Sequence, residues 1–241
     1  MKKWILSFVV FGLFYWAFAQ DKLLFVCEEY PPYEYLHNNL PLGMDIEIIN
    51  AVCKKAGIDY EIRFYPWERC LYLIKSGKAD VIFGLQKNLS RQFFLKYPDY
   101  EICKDRRVII SLADSKLNIK TRNDLKGLTV GAVSGYAYDP DFDNDKSFQK
   151  DFSITSESMI EKLNAKRYKL IAINEYVAKF LITDKNWSKY KVHPYVISDA
   201  PLYTGFAKSS TNAMTLFPRF NKALTELTKK GDLARIRKKY R

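Results

Sequence analysis

Apolar positions recur along this chain with two different periods, and the switching between them predicts its architecture. Lys22 to Val26 (KLLFV) reads as a short buried strand. Gly43-Met44-Asp45 then opens a helical pattern with Ile46, Ile49, Val52, Cys53 and Ala56 on one face. Asp45 is placed to cap its free amides and Gly57 to end it. Ile58, Tyr60, Ile62 and Phe64 alternate with polar residues, the period of a strand, and Trp67 to Ser76 returns to helix until Gly77. Ala79 to Leu85 is apolar except for Asp80, as in a strand buried on both faces. This β-α-β-α-β order implies a parallel sheet covered by helices on both sides.

A second α/β set follows. Arg107 to Leu112 predicts a strand, Asp124 to Gly127 a turn, and Leu128 to Val133 another strand. Ser158 and Glu161 have capping-box spacing in a helix whose apolar face is Met159, Ile160 and Leu163. Leu170 to Ile173 is a strand and Glu175 to Ile182 a helix. The chain closes with a strand near Thr204 to Ala207 and a helix carrying Leu216, Phe220, Leu224 and Leu227 on one side. Two α/β units, the last elements returning to the first, predict two lobes and a cleft.

The first twenty residues change the picture of where the chain works. Lys2 and Lys3 precede a nearly unbroken apolar run from Trp4 to Trp16, and Ala17-Phe18-Ala19 offers small residues where a signal peptidase reads. The run falls short of the ~20 residues that span a bilayer. The expected outcome is export to the periplasm with cleavage after Ala19, an uncleaved anchor being the alternative. With 241 residues, 48% hydrophobic and 15% aromatic, the mature chain has ample material for a core. The net charge of +12 is scattered, densest from Lys229 to Arg241, without the stripe or motif of a nucleic-acid binder. Cys27, Cys53, Cys70 and Cys103 form no C-x-x-C pair, and His37 and His193 are the only histidines, both in loop-like contexts that predict solvated rings, so no metal site is expected. In an oxidising compartment one or two disulfides, or four buried thiols, both fit. The N-x-S patterns at Asn88 and Asn186 read as coincidence in a chain with a bacterial style of leader.

In open α/β sheets, ligands bind beyond the carboxyl ends of strands. Four stretches fall there: Glu28 to Tyr33, Tyr65-Pro66-Trp67, Gly84 to Arg91, and Ser134-Gly135-Tyr136. Together they offer aromatic faces, free amides, a hydroxyl and one fixed positive charge, a set suited to a small ligand with an anionic end.

The stretches "YPPYEY", "GMDIEIINAVCKKAG", "PWERCLYLIKSGKADVIFGL", "NLSRQ", "DLKGLTVGAVSG" and "FNKALTELTKKGDLARIRKKY" occur in an order and spacing that resemble the family 3 extracellular solute-binding proteins, the periplasmic receptors of polar amino-acid ABC transporters. The resemblance covers essentially the whole mature chain. It implies a type II periplasmic-binding-protein-like α/β fold: a leader at 1–19, a first lobe from 20–103 completed by 199–241, a second lobe at 104–198, and a ligand cleft between lobes joined by two crossing segments. Arg91 matches the arginine that grips the ligand's α-carboxylate, for which a guanidinium offers two parallel charge-assisted bonds. Trp67 and Tyr30 match aromatic positions over the ligand, and Gly84, Leu85 and Gln86 the strand end whose backbone meets it. Gly135 matches a glycine whose amide approaches the carboxylate, with the Ser134 hydroxyl beside it. Three departures stand out. Asn88 replaces a usual threonine; Asn174 replaces the aspartate that pairs with the ligand's ammonium; and the acidic residue expected near the first strand end has only Cys27 and Glu28 as candidates. Glu28 or Glu175 are the substitutes on hand.

The resemblance implies a receptor without cofactor, monomeric, that delivers an amino acid or related carboxylate to an ABC permease. The chain shows no Ser-His-Asp set and no convincing carboxylate pair, so no catalytic residues are assigned. A dehydratase-like cleft enzyme of the same fold and a stand-alone sensory receptor are the alternatives.

Overall fold

The computed structural model describes residues 22–240. The expected leader at 1–19, its cleavage after Ala19 and the start of the mature chain lie outside the described residues. The first lobe is built on three parallel strands, β1 (Leu23–Cys27) between β4 (Tyr60–Phe64) and β5 (Val81–Gln86). A small hairpin, β2 (Tyr35–His37) and β3 (Leu40–Leu42), precedes α1 (Met44–Ala56). Next to β4 comes α2 (Trp67–Lys75), and after β5 the single turn α3 (Leu89–Gln92) and the two-residue β6 (Leu95–Lys96). The alternation of β1 explains why it is apolar throughout. Leu23 and Phe25 pack with α1, whereas Val26 faces Leu71 and Ile74 of α2, so both faces of the strand are buried.

The chain then crosses on β7 (Cys103–Leu112), which begins four residues before the predicted strand. The second lobe holds β8 (Thr129–Val133), α4 (Pro140–Asn144), β9 (Gln149–Ser153), α5 (Ser156–Asn164), β10 (Leu170–Asn174), α6 (Glu175–Leu181) and α7 (Asp184–Trp187). Parallel β10-β8-β9 pairing continues onto β7 through an antiparallel β10–β7 edge. The return is β11 (Tyr190–Ala207), eighteen residues long where only Thr204 to Ala207 was expected. Its first part pairs with β7 and its last with β5, so β7 and β11 stitch both halves into one nine-stranded sheet. Helices α8 (Thr211–Lys229) and α9 (Asp232–Lys238) then pack back on α1.

Several local expectations are corrected. Gly43, not Asp45, stands at the N-cap of α1 and no side chain caps it; Asp45 is wholly buried and accepts a hydrogen bond from the Cys103 thiol at 3.3 Å. Gly57 does end the helix in the left-handed region. The capping box of α5 is formed by Thr155 and Ser158, one turn earlier than the Ser158–Glu161 spacing suggested. His193 is not solvated: it is 2% exposed within β11, its Nδ1 accepting from the Ile119 amide and its Nε2 within 3.0 Å of the Ser111 hydroxyl. Burial pushes it down to about 4. All four cysteines are buried free thiols, so of the two alternatives the structure has no disulfide among them. Among the described residues no helix is long and apolar enough to cross a membrane.

Candidate functional site

The carboxyl ends of β1 and β5 point toward the tip of β8, and the loops there close on one another. Asn88 is the N-cap of α3: its Oδ1 accepts from the Arg91 amide at 2.9 Å and from the Ser90 hydroxyl. That cap sets the direction of a one-turn helix too short to hold itself. It turns the Arg91 side chain inward, where only 6% of it is exposed. The guanidinium donates from Nη1 to the Gln86 carbonyl at 3.0 Å and from Nη2 to the Gly135 carbonyl of the other lobe at 3.1 Å, with its Cζ 5.4 Å from the centroid of the Trp67 ring. Among the described residues no carboxylate forms an ion pair with it. Burial, and the second cation at Arg107, lower its proton affinity.

The indole of Trp67 also spans the cleft, donating to the same Gly135 carbonyl at 3.0 Å. Gly135 lies at φ +73°, and a Cβ there would stand 2.6 Å from Glu68 Oε1 and 3.2 Å from the Trp67 ring. Only glycine allows this approach without strain. Gly84, at φ +74°, similarly leaves room for the Glu34 carboxyl, 2.5 Å from where a Cβ would be. The Ser134 hydroxyl donates to Glu68 Oε1 at 3.0 Å.

Glu28, Tyr30, Trp67, Gly84, Leu85, Gln86 and Arg91 line one cavity together with Arg107, Tyr136 and Ala137. It measures about 10 Å³, room for about one water molecule. Seven of the sequence-derived candidates are thus brought together, and four are not among its lining residues. Asn88 acts through the cap, Ser134 faces Glu68, and Gly135 contributes its carbonyl where an amide was expected. Asn174 lies deeper. Its Oδ1 caps α6 through the Tyr176 and Val177 amides, and its Nδ2 donates to Asp105 at 2.6 Å and to the Tyr33 hydroxyl at 3.1 Å. Glu175 is turned away, paired with Arg106 and Lys179.

Arg107 and Asp105 are site residues that sequence reasoning missed: Arg107 entered only as the first residue of a predicted strand, and Asp105 not at all. Both are buried. The Arg107 Nε pairs with Asp105, its Nη1 donates to the Ala137 carbonyl at 3.1 Å, and its guanidinium lies 4.8 and 4.6 Å from the centroids of Tyr136 and Tyr138. Asp105 accepts further from the Tyr30 hydroxyl at 3.2 Å. The remaining acid, Glu28, has its carboxyl pushed up to about 8 by burial, against the opposing pull of Arg107 and of the nearby Tyr136 hydroxyl. That hydroxyl makes no hydrogen bond of ordinary geometry. The site is therefore rich in donors: two guanidiniums, a buried phenol and a carboxyl that holds its proton at neutral pH.

A sequence profile of the bacterial extracellular solute-binding proteins, family 3, matches residues 24–241. The arginine-binding extracellular protein ArtP of Bacillus subtilis (strain 168) is 25% identical over 260 residues, covering all of this chain and 98% of its own. ABC transporter arginine-binding protein 1 of Escherichia coli (strain K12) is 29% identical over 140 residues, 56% of this chain and 55% of that one. Among solved structures, an ancestral arginine-binding protein bound to arginine superposes with a TM-score of 0.79 at 22% identity, covering 91% of this chain and 97% of its own. A histidine kinase sensor domain with similarity to periplasmic binding proteins gives a TM-score of 0.79 at 21% identity, over 91% and 95% of the two chains. At these identities the superpositions speak for the fold, and the profile match across nearly the whole described chain places it by descent: the chain belongs to the bacterial extracellular solute-binding proteins of family 3.

Proposed function

We propose that this chain is a periplasmic receptor that captures a small carboxylate-bearing ligand, an amino acid or a close derivative, between its lobes and hands it to an ABC permease. The observation that carries this reading is Arg91, a buried guanidinium bridging two backbone carbonyls from different lobes with no counter-ion among the described residues. Burying an unpaired charge is costly, and a carboxylate that takes the place of those carbonyls on the guanidinium as the lobes close on it removes that cost. Trp67, Tyr30, Glu28, Gly84, Leu85 and Gln86 supply the walls, Ser134 and Gly135 the opposing edge, Asn88 the cap that aims Arg91, and Asn174 a polar group behind the wall. The lobes divide at 20–103 with 199–241, and 104–198. The chain acts as a monomer that binds without turning its ligand over, after export and cleavage following Ala19. The names of the relatives, arginine-binding and amino-acid-binding, favour an amino-acid-sized ligand.

Thermal-shift screening of residues 20–241 against amino acids, amines and small carboxylates tests this. A ligand that binds only the folded state raises the melting temperature by mass action. Arg91→Ala removes the stabilisation and weakens binding roughly 30- to 4,000-fold, the range for truncating one partner of a buried charge pair. Equal stabilisation of wild type and variant rules the site out.

A further inference from the structure

The cleft carries a second buried guanidinium that neither the family resemblance nor the relatives' names account for. Arg107 lines the same cavity as Arg91, held between the rings of Tyr136 and Tyr138. Its neighbour Asp105 is fully committed: one oxygen takes the Arg107 Nε, the other accepts from Tyr30 and Asn174. Asn174, where an ammonium partner was expected, is neutral and spends both ends inside the protein. The groups left to meet a ligand are therefore mostly donors. They are Nε of Arg91, Nη2 of Arg107, which makes no hydrogen bond among the described residues, and the unpartnered Tyr136 hydroxyl. Glu28 is the one carboxyl lining the cavity that forms no ion pair among the described residues.

We infer that the ligand is a small dianion, a dicarboxylate or an acidic amino acid, with one carboxylate on Arg91 and the other on Arg107. A cationic amino acid is disfavoured, because its side chain would meet a fixed guanidinium where it needs an anion, and like-charge juxtaposition costs several kcal/mol in binding. Arg107 lies close enough to Arg91 to be among the groups that lower its proton affinity. A dianion drawn between them as the lobes close on it relieves that repulsion, the differential contact that drives closure, and its volume holds the lobes wider than in this structure, where the cavity has room for about one water. The donor left free on each guanidinium, Nε of Arg91 and Nη2 of Arg107, gives a carboxylate oxygen a charge-assisted hydrogen bond. This inference rests on the cleft-receptor reading above.

Titration calorimetry of residues 20–241 with L-glutamate, 2-oxoglutarate, succinate, L-glutamine and L-arginine decides it. At least one dicarboxylate is expected to bind wild type more tightly than L-glutamine, with L-arginine failing to compete. Arg107→Gln should weaken that dicarboxylate roughly 30- to 4,000-fold. Because Arg107→Gln leaves Asp105 without its partner, the double variant Asp105→Asn/Arg107→Gln, which removes both charges, is measured alongside and should show the same loss with a cooperative melt. Tighter binding of L-arginine or L-glutamine than of every dicarboxylate overturns the inference, as does undiminished dicarboxylate binding by the double variant, or no dicarboxylate binding at millimolar concentration. If the tighter monocarboxylate is still lost in Arg91→Ala, the receptor reading survives and only the ligand class falls. If Arg91→Ala binds it unchanged, the cleft reading falls too.

Discussion

A buried charge needs a partner, and the residues of this cleft differ in whether they have one. Arg107 has Asp105, Arg91 has only carbonyl oxygens, and Glu28 keeps its proton because burial outweighs the two groups that favour its ionisation. Its raised proton affinity has a consequence for stability. Glu28 moves from an ordinary 4.5 up to about 8 on folding, so between those values the folded state holds a proton that the unfolded state has lost. Stability contributed by this group is therefore whole below about 4.5 and falls as pH rises toward about 8. Glu28→Gln, which stays neutral, is expected to melt higher than wild type by a margin that widens from pH 5 to pH 8, worth on the order of a few kcal/mol at most. A margin that stays constant across that range contradicts an acid held neutral by burial. Arg91, Trp67 and Glu28 could be picked out in the sequence because they sit beyond strand ends in a matching order. Arg107 could not, since its stacking on Tyr136 and Tyr138 joins segments about thirty residues apart in the chain, and its burial depends on that contact.

Elements position these side chains by details of their ends. The turn after β8 must bring a backbone carbonyl within 3.0 Å of the Trp67 indole and 3.1 Å of Arg91, which requires φ +73° at Gly135. Gly135→Ala adds a left-handed strain of roughly 1–2 kcal/mol and thrusts a methyl at Glu68 and Trp67. Glu68 is exposed and can swing away; Trp67 is buried and cannot. The expected result is a ligand affinity lowered roughly 5- to 30-fold with the fold intact, read by calorimetry beside a circular-dichroism spectrum. Unchanged affinity would mean that this lobe contact plays no part in binding. The existence of the long helices and of most sheet strands followed from apolar periodicity, but their ends did not, and short elements such as β9, α4 and α7 went unpredicted. Asp45 and Ser158 have the chemistry of caps, yet Asp45 is drawn into the core by Cys103, and Thr155 reaches the α5 amides first. The length of β11 was hidden for a related reason: from Tyr190 to Ala200 only His193 and Ile197 are buried, in a pairing with β7 whose register shifts twice, so the stretch shows no clean alternation.

Across the molecule, β7 and β11 are the two strands that pass between lobes, and the lobes meet through Trp67, Arg91, Glu68, Ser134 and Gly135. A cavity of about 10 Å³ admits no amino-acid-sized ligand, so entry requires the lobes to part about those strands, a hinge motion of the kind common to clefts between domains. Small-angle scattering should give a larger radius of gyration for the ligand-free protein than this closed form has, shrinking when a stabilising ligand is added. Equal radii with and without ligand would place the binding step outside lobe closure.

The helices α1, α2, α5, α6 and α8, the parallel strands of the first lobe and the second α/β set depend on neighbours within a few residues, so the order of apolar and polar side chains was enough to reveal them, and the order of motifs marked Arg91. The two crossing strands, the burial of His193 and the cysteines, the neutral state of Glu28 and the second guanidinium at Arg107 depend on what lies across the fold. Burial, ion pairing and lobe contact are properties of surfaces brought together from distant parts of the chain, and only the tertiary structure says which surfaces those are.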